Sequence, residues 1–281
     1  QKYVPKDVID GIFQNPESAL SGKNDVLAIL FSDIRNFTTI SEGFMPDDLV
    51  VSLNKYFERL VDIIMDHGGI VDKYIGDAIM AFYGAPVRHD DDALKAVVSA
   101  LRMQEAIGEI NGEHIAEGKP IFKTGIGINY GVVTVGNIGS DKKMDYTIIG
   151  DMVNYGSRLE GLTKSYGQDL IVSKSIFRKV KNQVPTRFVD FVQVKGKTSG
   201  ESIYTASLQQ SENEKQAWKI YHEGIRFFYG RRFDRARGYF KKTLDYLPAD
   251  ALAKEYIERC NRYLAAPPPA DWNGVNIMTS K

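Results

Sequence analysis

Residues 70–86 read IVDKYIGDAIMAFYGAP. Two apolar runs of strand length flank the dipeptide Gly76-Asp77. A glycine followed by an aspartate suits the tight turn of a hairpin. The stretch therefore predicts two antiparallel strands with Asp77 at the tip of their turn.

The segments on either side of this hairpin carry strand and helix patterns in turn. The apolar run Val26–Phe31 predicts a buried strand that ends at Asp33. From Pro46 the apolar residues recur every three or four positions, which predicts a helix ending at Gly68-Gly69. A second amphipathic helix is expected from about Asp91 to Glu117.

The order of these elements indicates the class of sheet. Residues 122–139 predict two strands broken at Tyr130-Gly131, and a further short strand precedes a helix from about Asp151. Strand, helix, strand, strand, helix, strand is the βαββαβ order of a ferredoxin-like α+β fold with its helices on one face. Extra strands that extend the sheet are expected near Asp169–Val172, Arg187–Val194 and Ile203–Ala206.

Composition restricts the class of protein and its partners. Hydrophobic residues make up 43% of the 281 residues and charged residues 26%, as in globular proteins. Lysine plus arginine and aspartate plus glutamate number 36 each, so no net charge favours nucleic acid. Cys260 is the single cysteine, which fits a reducing compartment, and we expect the cytoplasm. The longest apolar run is far below the roughly 18 residues of a membrane helix.

Three segments are expected along the chain. Residues 1–24 form a coupling helix or linker, residues 25–209 the main domain and residues 210–281 a helical tail. The chain begins at Gln1, which suggests a fragment whose upstream part holds a sensor or a membrane anchor. In the tail, small and aromatic residues have the spacing of a tetratricopeptide helix pair: Gly224, Phe227, Phe233, Ala236, Phe240 and Pro248. One such repeat cannot bury its own face, so we expect it to dock on the main domain or on a partner.

Candidate ligands for metal and phosphate lie around Asp33. Asp33 and Asp77 converge if the first three strands are neighbours, and paired carboxylates suit two magnesium ions. The alternative is that Asp33 caps the next helix and Asp77 only shapes a turn. Residues Ile34 to Thr38 are expected to open a short helix whose backbone N–H groups bind phosphate oxygens.

Other motifs are weaker. Asn154 and Arg158 stand four apart on one helix and share a face, although a solvated arginine and a capping asparagine are the alternative. Gly196-Lys197-Thr198 resembles the end of a P-loop, but Phe191 stands where that motif needs glycine. The four histidines have no metal-ligand spacing.

Four segments together resemble the class III nucleotidyl cyclases over about residues 25–207. They are FSDIRNFTTISE (31–42), DKYIGDAIMAFYGAP (72–86), DYTIIGDMVNYGSRLEGLT (145–163) and VKGKTSGESIYTA (194–206). The resemblance implies an adenylyl cyclase of signal transduction, which converts ATP to 3′,5′-cyclic AMP and pyrophosphate. It also implies two Mg²⁺ ions, replaceable by Mn²⁺, and an active site shared between the protomers of a homodimer.

The resemblance assigns a role to each candidate residue. It places Asp33, Ile34 and Asp77 at the metals, and Phe37 and Thr38 at the substrate. The other protomer contributes Lys73 and Thr147, which read adenine, and Asn154, which positions the ribose. It also contributes Arg158, which stabilises the α-phosphate, and Lys195, which binds the triphosphate. A bicarbonate-responsive subgroup carries threonine at the position of Thr147, so bicarbonate is an expected activator.

Three other functions stay open from the sequence. A guanylyl cyclase shares the fold, but a lysine donor with a threonine acceptor complements adenine, whereas guanine readers carry glutamate and a small residue. A diguanylate cyclase shares the strand order, but its GGDEF hairpin is replaced by Tyr-Ile-Gly-Asp-Ala at 74–78. A non-catalytic nucleotide-sensing or scaffold module would use the helical tail as its binding surface.

Overall fold

The computed structural model describes residues 22–140, 142–195 and 199–278, which form eight helices and nine strands. The strands are β1 Lys23–Ile34, β2 Ile70–Ile75, β3 Ala78–Tyr83, β4 Thr124–Ser140, β5 Lys143–Ile149, β6 Leu170–Ser173, β7 Thr186–Gln193, β8 Glu201–Ala206 and β9 Asn276–Ile277. The helices are α1 Phe37–Ser41, α2 Pro46–Asp66, α3 Asp92–Ala116, α4 Asp151–Tyr166, α5 Lys174–Val180, α6 Glu212–Tyr229, α7 Phe233–Tyr246 and α8 Ala251–Ala265. None of these helices combines the length and apolarity needed to cross a membrane.

All nine strands join one sheet, in the order β2-β3-β1-β4-β6-β8-β7-β9, with β5 paired to β4. The first four strands are antiparallel neighbours, as the βαββαβ order predicts. The predicted extra strands are present as β6, β7 and β8. Most of the predicted coupling segment, residues 1–21, lies outside the described residues, and β1 already begins at Lys23.

Alternation along β1 gives the sheet two buried faces. One face packs on α2 and α3, and this α2–α3 core includes Ala28, Leu30, Tyr56, Leu60, Val97 and Met103. The opposite face packs on α4, and this α4 core includes Leu27, Ile29, Phe31, Val133 and Val153. Both helices of the ferredoxin-like unit therefore lie on one face, as expected, while α4 covers the other.

The prediction of a break at Tyr130-Gly131 is wrong. Strand β4 runs without interruption from Thr124 to Ser140, and Gly131 pairs with Leu27 of β1. A Cβ atom at Gly131 would lie 2.8 Å from Met152 Cγ. The glycine is needed because α4 packs closely on the strand, not because the chain turns there.

The tail forms three helices that pack on the main domain. Gly224 of α6 faces Phe240 of α7, where an added Cβ would lie 2.7 Å from the ring. The predicted small-on-large contact is therefore present. The tail shares a hydrophobic cluster with α4 and β7, and this tail core includes Tyr155, Leu159, Tyr166, Val189, Tyr221, Phe228, Phe240 and Tyr256.

A buried carboxylate, Asp190 of β7, lies at the centre of this contact. Its Oδ2 accepts hydrogen bonds from Tyr166 Oη at 2.6 Å and Arg259 Nη1 at 2.7 Å. Its Oδ1 accepts from Tyr229 Oη at 3.0 Å and Tyr256 Oη at 3.2 Å. One side chain thus joins the end of α4 to two tail helices.

Side chains of the tail also bond to the backbone of β7. The Phe188 N–H donates to His222 Nε2 at 3.3 Å, and Tyr256 Oη donates to the Val189 carbonyl at 3.1 Å. Burial and the nearby Arg187 charge lower the pKa of His222 to about 4, so the ring is neutral and can accept this hydrogen bond. Beyond these contacts β9 pairs with the end of β7.

Candidate nucleotide and metal site

The carboxyl groups of Asp33 and Asp77 meet at one edge of the sheet. Antiparallel pairing of Ser32 with Ile79 places the end of β1 beside the β2–β3 turn. Gly76 has a φ of 66°, which closes this turn tightly before Asp77. The two carboxyl groups lie close enough for Asp77 to raise the pKa of Asp33. The predicted convergence is therefore present.

The electrostatics of this pair suit a cation. Burial, the hydrogen bond with Asp77 and the charge of Asp77 raise the pKa of Asp33 to about 6, against a weaker effect of the Ile34 N–H. Asp77 Oδ2 is buried and has no hydrogen-bond partner among the described residues. A divalent ion would offset the repulsion between the Asp33 and Asp77 carboxylates, and it would bind the unpaired Asp77 oxygen.

A third carboxyl group, Glu160 of α4, lies near the pair and was not predicted. Burial first, and then the charges of Asp33 and Asp77, raise the pKa of Glu160 to about 8, while Arg35 opposes this shift. Gly125 leaves the space it occupies, because a Cβ there would lie 2.9 Å from Glu160 Oε1. The sequence feature that could have indicated this position is the pair of glycines at 125 and 127, because both leave space for α4.

The protein supplies few metal ligands by itself. Within residues 22–140, 142–195 and 199–278, no group of three or more histidine, cysteine, aspartate or glutamate side chains is arranged to hold a metal ion. Magnesium sites commonly combine one or two carboxylates with phosphate oxygens and water. The pair of Asp33 and Asp77 matches that pattern.

The residues around Asp33 exclude the alternative in which Asp33 caps the next helix. Helix α1 begins after Asn36, which has a left-handed φ of 58°, and no side chain caps it. Asp33 is therefore not the cap of the next helix. The Arg35 N–H donates to the Lys123 carbonyl at 2.7 Å, so this member of the predicted phosphate-binding segment is already bonded.

The other residues that are predicted to contact metal or substrate differ in how far they are exposed to solvent. Ile34 is buried in the α2–α3 core, so only its main-chain atoms can reach an ion. Phe37 packs against that core, whereas Thr38 is exposed. Lys195 is exposed two residues after β7. The P-loop-like residues 196–198 lie outside the described residues.

The predicted base-reading residues are in contact with each other. Lys73 Nζ donates to Thr147 Oγ1 at 3.2 Å, which joins β2 to β5. Thr147 Oγ1 donates in turn to Asp72 Oδ2 at 2.6 Å. The side chain of Lys73 is 43% exposed and that of Asp72 is fully buried. Lys73 thus presents a donor at the surface, beside the hydroxyl of Thr147, which is 6% exposed, and the buried Asp72 carboxylate.

Asn154 and Arg158 lie one turn apart on α4, as predicted. Asn154 is exposed, and Arg158 Nη1 is buried without a hydrogen-bond partner in the part of the chain that the structure describes. The next residues of the helix, Tyr155 and Leu159, belong to the tail core. Asn154 and Arg158 thus lie on a helix whose neighbouring residues are packed in the tail core.

Comparison with known proteins agrees with this arrangement. The profile of the family described as Adenylate and Guanylate cyclase catalytic domain matches residues 20–209. Adenylate cyclase of Anabaena cylindrica is 39% identical over 215 residues, which are 73% of this chain and 42% of that protein. The chain spans less than half the length of such curated relatives as the adenylate cyclases of Rhizobium meliloti, Dictyostelium discoideum and Anabaena cylindrica.

Solved structures show the same fold. The adenylyl cyclase CyaB from P. aeruginosa is 32% identical, with a TM-score of 0.63 over 69% of this chain and 99% of that chain. The guanylyl cyclase Cya2 is 37% identical, with a TM-score of 0.61 over 69% of this chain and 98% of that chain. This chain belongs to the adenylate and guanylate cyclase catalytic domain family, the class III nucleotidyl cyclases.

Proposed function

We propose that this chain is the catalytic part of an adenylyl cyclase, which converts ATP to 3′,5′-cyclic AMP and pyrophosphate. The observation that carries the proposal is the meeting of the Asp33 and Asp77 carboxyl groups, in which Asp77 Oδ2 is buried and has no hydrogen-bond partner among the described residues. Class III cyclases generally use divalent metal ions. The carboxylate pair gives such ions a place to bind.

In the proposed reaction the ribose 3′-hydroxyl loses its proton to water, its oxygen attacks the α-phosphorus, the bond to the α–β bridging oxygen breaks, and pyrophosphate leaves. Asp33 and Asp77, with the main chain of Ile34, would hold the divalent ions, which we propose to be Mg²⁺ with Mn²⁺ able to replace it. When bound, these ions lower the pKa of the 3′-hydroxyl and neutralise phosphate charge. Ring closure needs no covalent bond to the protein.

The remaining residues bind and orient the nucleotide. Asn154 holds the ribose, and Arg158 stabilises the charge that grows on the α-phosphate. Lys195 binds the triphosphate, and Phe37 and Thr38 line it. Most of the rate enhancement then comes from orientation and electrostatics, as in phosphoryl transfer generally.

The base is assigned from hydrogen-bonding chemistry. Adenine offers an amino donor and ring acceptors, which complement the Lys73 ammonium and the Thr147 hydroxyl oxygen. The similarity to a guanylyl cyclase makes GTP the second candidate. Purified protein should be incubated with each nucleotide and Mg²⁺ or Mn²⁺, and the product identified by chromatography. Faster formation of cyclic GMP than of cyclic AMP would reverse the assignment.

We propose that a second copy of this chain completes the site. Large apolar side chains are exposed along β2, β4 and β5, where a protein partner would cover them: Tyr74, Ile75, Val132, Met144 and Ile149. Under this proposal one protomer supplies the carboxylate pair, and its partner supplies Lys73, Thr147, Asn154, Arg158 and Lys195. Two-fold symmetric pairing, with the head of each chain against the tail of the other, then gives two sites per dimer.

Metal binding is expected to depend on pH. The pKa of Asp33 lies at about 6, above its ordinary 3.8, and that of Glu160 at about 8, above 4.5. The metal-free folded protein therefore binds more protons than the unfolded chain, and these groups make it less stable as pH rises from about 4 to 8. Metal displaces such protons, so its apparent affinity should rise about tenfold per pH unit for each proton released.

Thermal unfolding with and without Mg²⁺ measures this effect. The stabilisation by Mg²⁺ should be clearly larger at about pH 8 than at about pH 5.5. Asp77→Asn is the control, because it removes a proposed ligand and should abolish the dependence on metal. An equal Mg²⁺ effect at both pH values would contradict the competition between metal and protons.

Thr147 is the basis for proposing that this chain belongs to the bicarbonate-responsive subgroup. Bicarbonate at constant pH is expected to raise the rate of cyclic AMP formation about fivefold, the lower end of typical allosteric coupling. The rate should be measured over a bicarbonate series, with chloride at equal ionic strength as control. A flat response would remove this proposal.

We propose that the helical tail is a tetratricopeptide-like repeat that serves as packing for the catalytic domain. Its support is the tail core, which α4 shares, and the hydrogen bonds to Asp190. We also propose the division into residues 1–24, 25–209 and 210–281; the end of the family match at residue 209 and the start of α6 at Glu212 support its second boundary. The tail is then a support for α4.

A further inference from the structure

Asp72 is placed beneath the base-reading pair by an irregularity in β2. The pairing of β2 with β3 shifts between Val71 and Lys73, so Asp72 is the extra residue of a β-bulge. In a regular strand neighbouring side chains point to opposite faces. The bulge changes their directions, and both Asp72 and Lys73 reach Thr147.

The contacts of Asp72 determine where the Thr147 proton lies. An ionised carboxylate only accepts hydrogen bonds and an ammonium only donates them. The Thr147 hydroxyl therefore gives its single proton to Asp72 Oδ2 and receives one from Lys73. The Ile148 N–H also points to Asp72 Oδ2, at 3.4 Å. The hydroxyl can then offer only a lone pair to the base.

The same carboxylate holds Lys73 near the hydroxyl. Asp72 Oδ1 lies 3.1 Å from Lys73 Nζ in the geometry of an ion pair rather than a hydrogen bond. The Asp72 side chain is fully buried, so water does not compete for its oxygens. Lys73 and Thr147 are thus fixed as one unit, a donor beside an acceptor.

We propose that Asp72 is a specificity-determining residue, which keeps the Thr147 hydroxyl in its accepting orientation and so favours adenine over guanine. The inference rests on the proposed function, because it assumes that Lys73 and Thr147 face the base. The amino group of adenine donates to the Thr147 lone pair. The O6 atom of guanine would bring a second lone pair against it, which costs both hydrogen bonding and electrostatic energy.

Asp72→Asn tests this role with little change in shape. If the amide oxygen faces Thr147, the NH₂ group faces the Lys73 ammonium and the ion pair is lost. If the NH₂ group faces Thr147, the hydroxyl proton turns toward the base. Either orientation should lower the ratio of kcat/KM for ATP to kcat/KM for GTP, by about 10- to 100-fold.

A binding measurement separates this effect from a general loss of activity. Calorimetry with 3′-deoxy-ATP and 3′-deoxy-GTP, which cannot cyclise, should show the same fall in the ratio of affinities. In a Thr147→Val protein the added Asp72→Asn change should lower either ratio clearly less than in the wild-type background, because the hydroxyl is gone and only the contact of Asp72 with Lys73 remains. An unchanged ratio in Asp72→Asn, or an equal fall in both backgrounds, overturns the inference.

A second pair of variants covers the case in which Asp72→Asn does not fold. Thr147→Ser keeps the hydroxyl and should keep the nucleotide ratio, whereas Thr147→Val should lose it. Equal ratios in these two proteins overturn the inference. If the wild-type protein makes no cyclic nucleotide, the proposed function fails, while the affinities for the 3′-deoxy nucleotides still test Asp72.

Discussion

An equal mixture of Lys73→Ala/Arg158→Ala protein and Asp33→Ala/Asp77→Ala protein is expected to recover about a quarter of the wild-type rate of cyclic AMP formation. Half of the randomly assembled dimers combine the two chains, and each of these has one intact site of two. Each protein alone should lose at least about 10³ in rate, because loss of Arg158 resembles loss of an oxyanion donor and loss of both carboxylates removes the metal site.

The composition of the site makes this experiment decisive. The structure brings Asp33 and Asp77 together, and separately brings Lys73 and Thr147 together, so each variant damages one group only. As a control, Asp33→Ala protein mixed with Asp77→Ala protein should stay inactive, since both changes fall in the same half. A complementary mixture that forms mixed dimers but stays inactive would exclude a site shared between chains.

Asp190→Ala is expected to lower the free energy of unfolding by about 3–5 kcal/mol, because it removes the buried partner of Arg259, whose charge then keeps only the partly exposed Glu255. The side chain of Asp190 is fully buried and that of Arg259 is 11% exposed. The hydroxyls of Tyr166 and Tyr229 lose their carboxylate acceptor as well, whereas Tyr256 keeps the Val189 carbonyl. Urea unfolding followed by circular dichroism measures the change.

A surface ion pair provides the matched control. Asp234 contacts Arg237 at 2.7 Å, but its side chain is 76% exposed, so Asp234→Ala should cost no more than about 1 kcal/mol. Because Tyr166 ends the helix that carries Arg158, Asp190→Ala should also lower kcat at a temperature where the protein stays folded. Equal stability of the two variants would contradict the role of Asp190 in joining the tail to α4.

The sequence was sufficient for the parts of the fold that depend on local pattern. The hairpin around Gly76-Asp77 and helices α2 and α3 follow from apolar periodicity and turn residues, and all three are present. The break at Gly131 was wrong because a glycine required by close helix packing looks the same in sequence as one required by a turn. Strand β9 was missed because two residues carry no periodicity.

The site was predicted less completely, for reasons of geometry. Asp72 gave no signal, since alternation along a regular strand would turn it away from Thr147, and a bulge cannot be read from one sequence. Asp190 looked like an ordinary charged residue in a strand, because its partners are as far away in the chain as Asn276. Glu160 depends in the same way on how α4 lies against β4. Contacts between distant segments set the electrostatics of all three.

The hydrogen bonds from the tail to β7 have a consequence for the behaviour of concentrated solutions. A border strand with free amide and carbonyl groups invites pairing between molecules, which leads to fibres and precipitates. Here His222, Tyr256 and the short strand β9 already occupy such groups. A protein shortened before Ser211 would lose all three of these partners, so its tendency to aggregate should rise even where its catalytic residues are untouched.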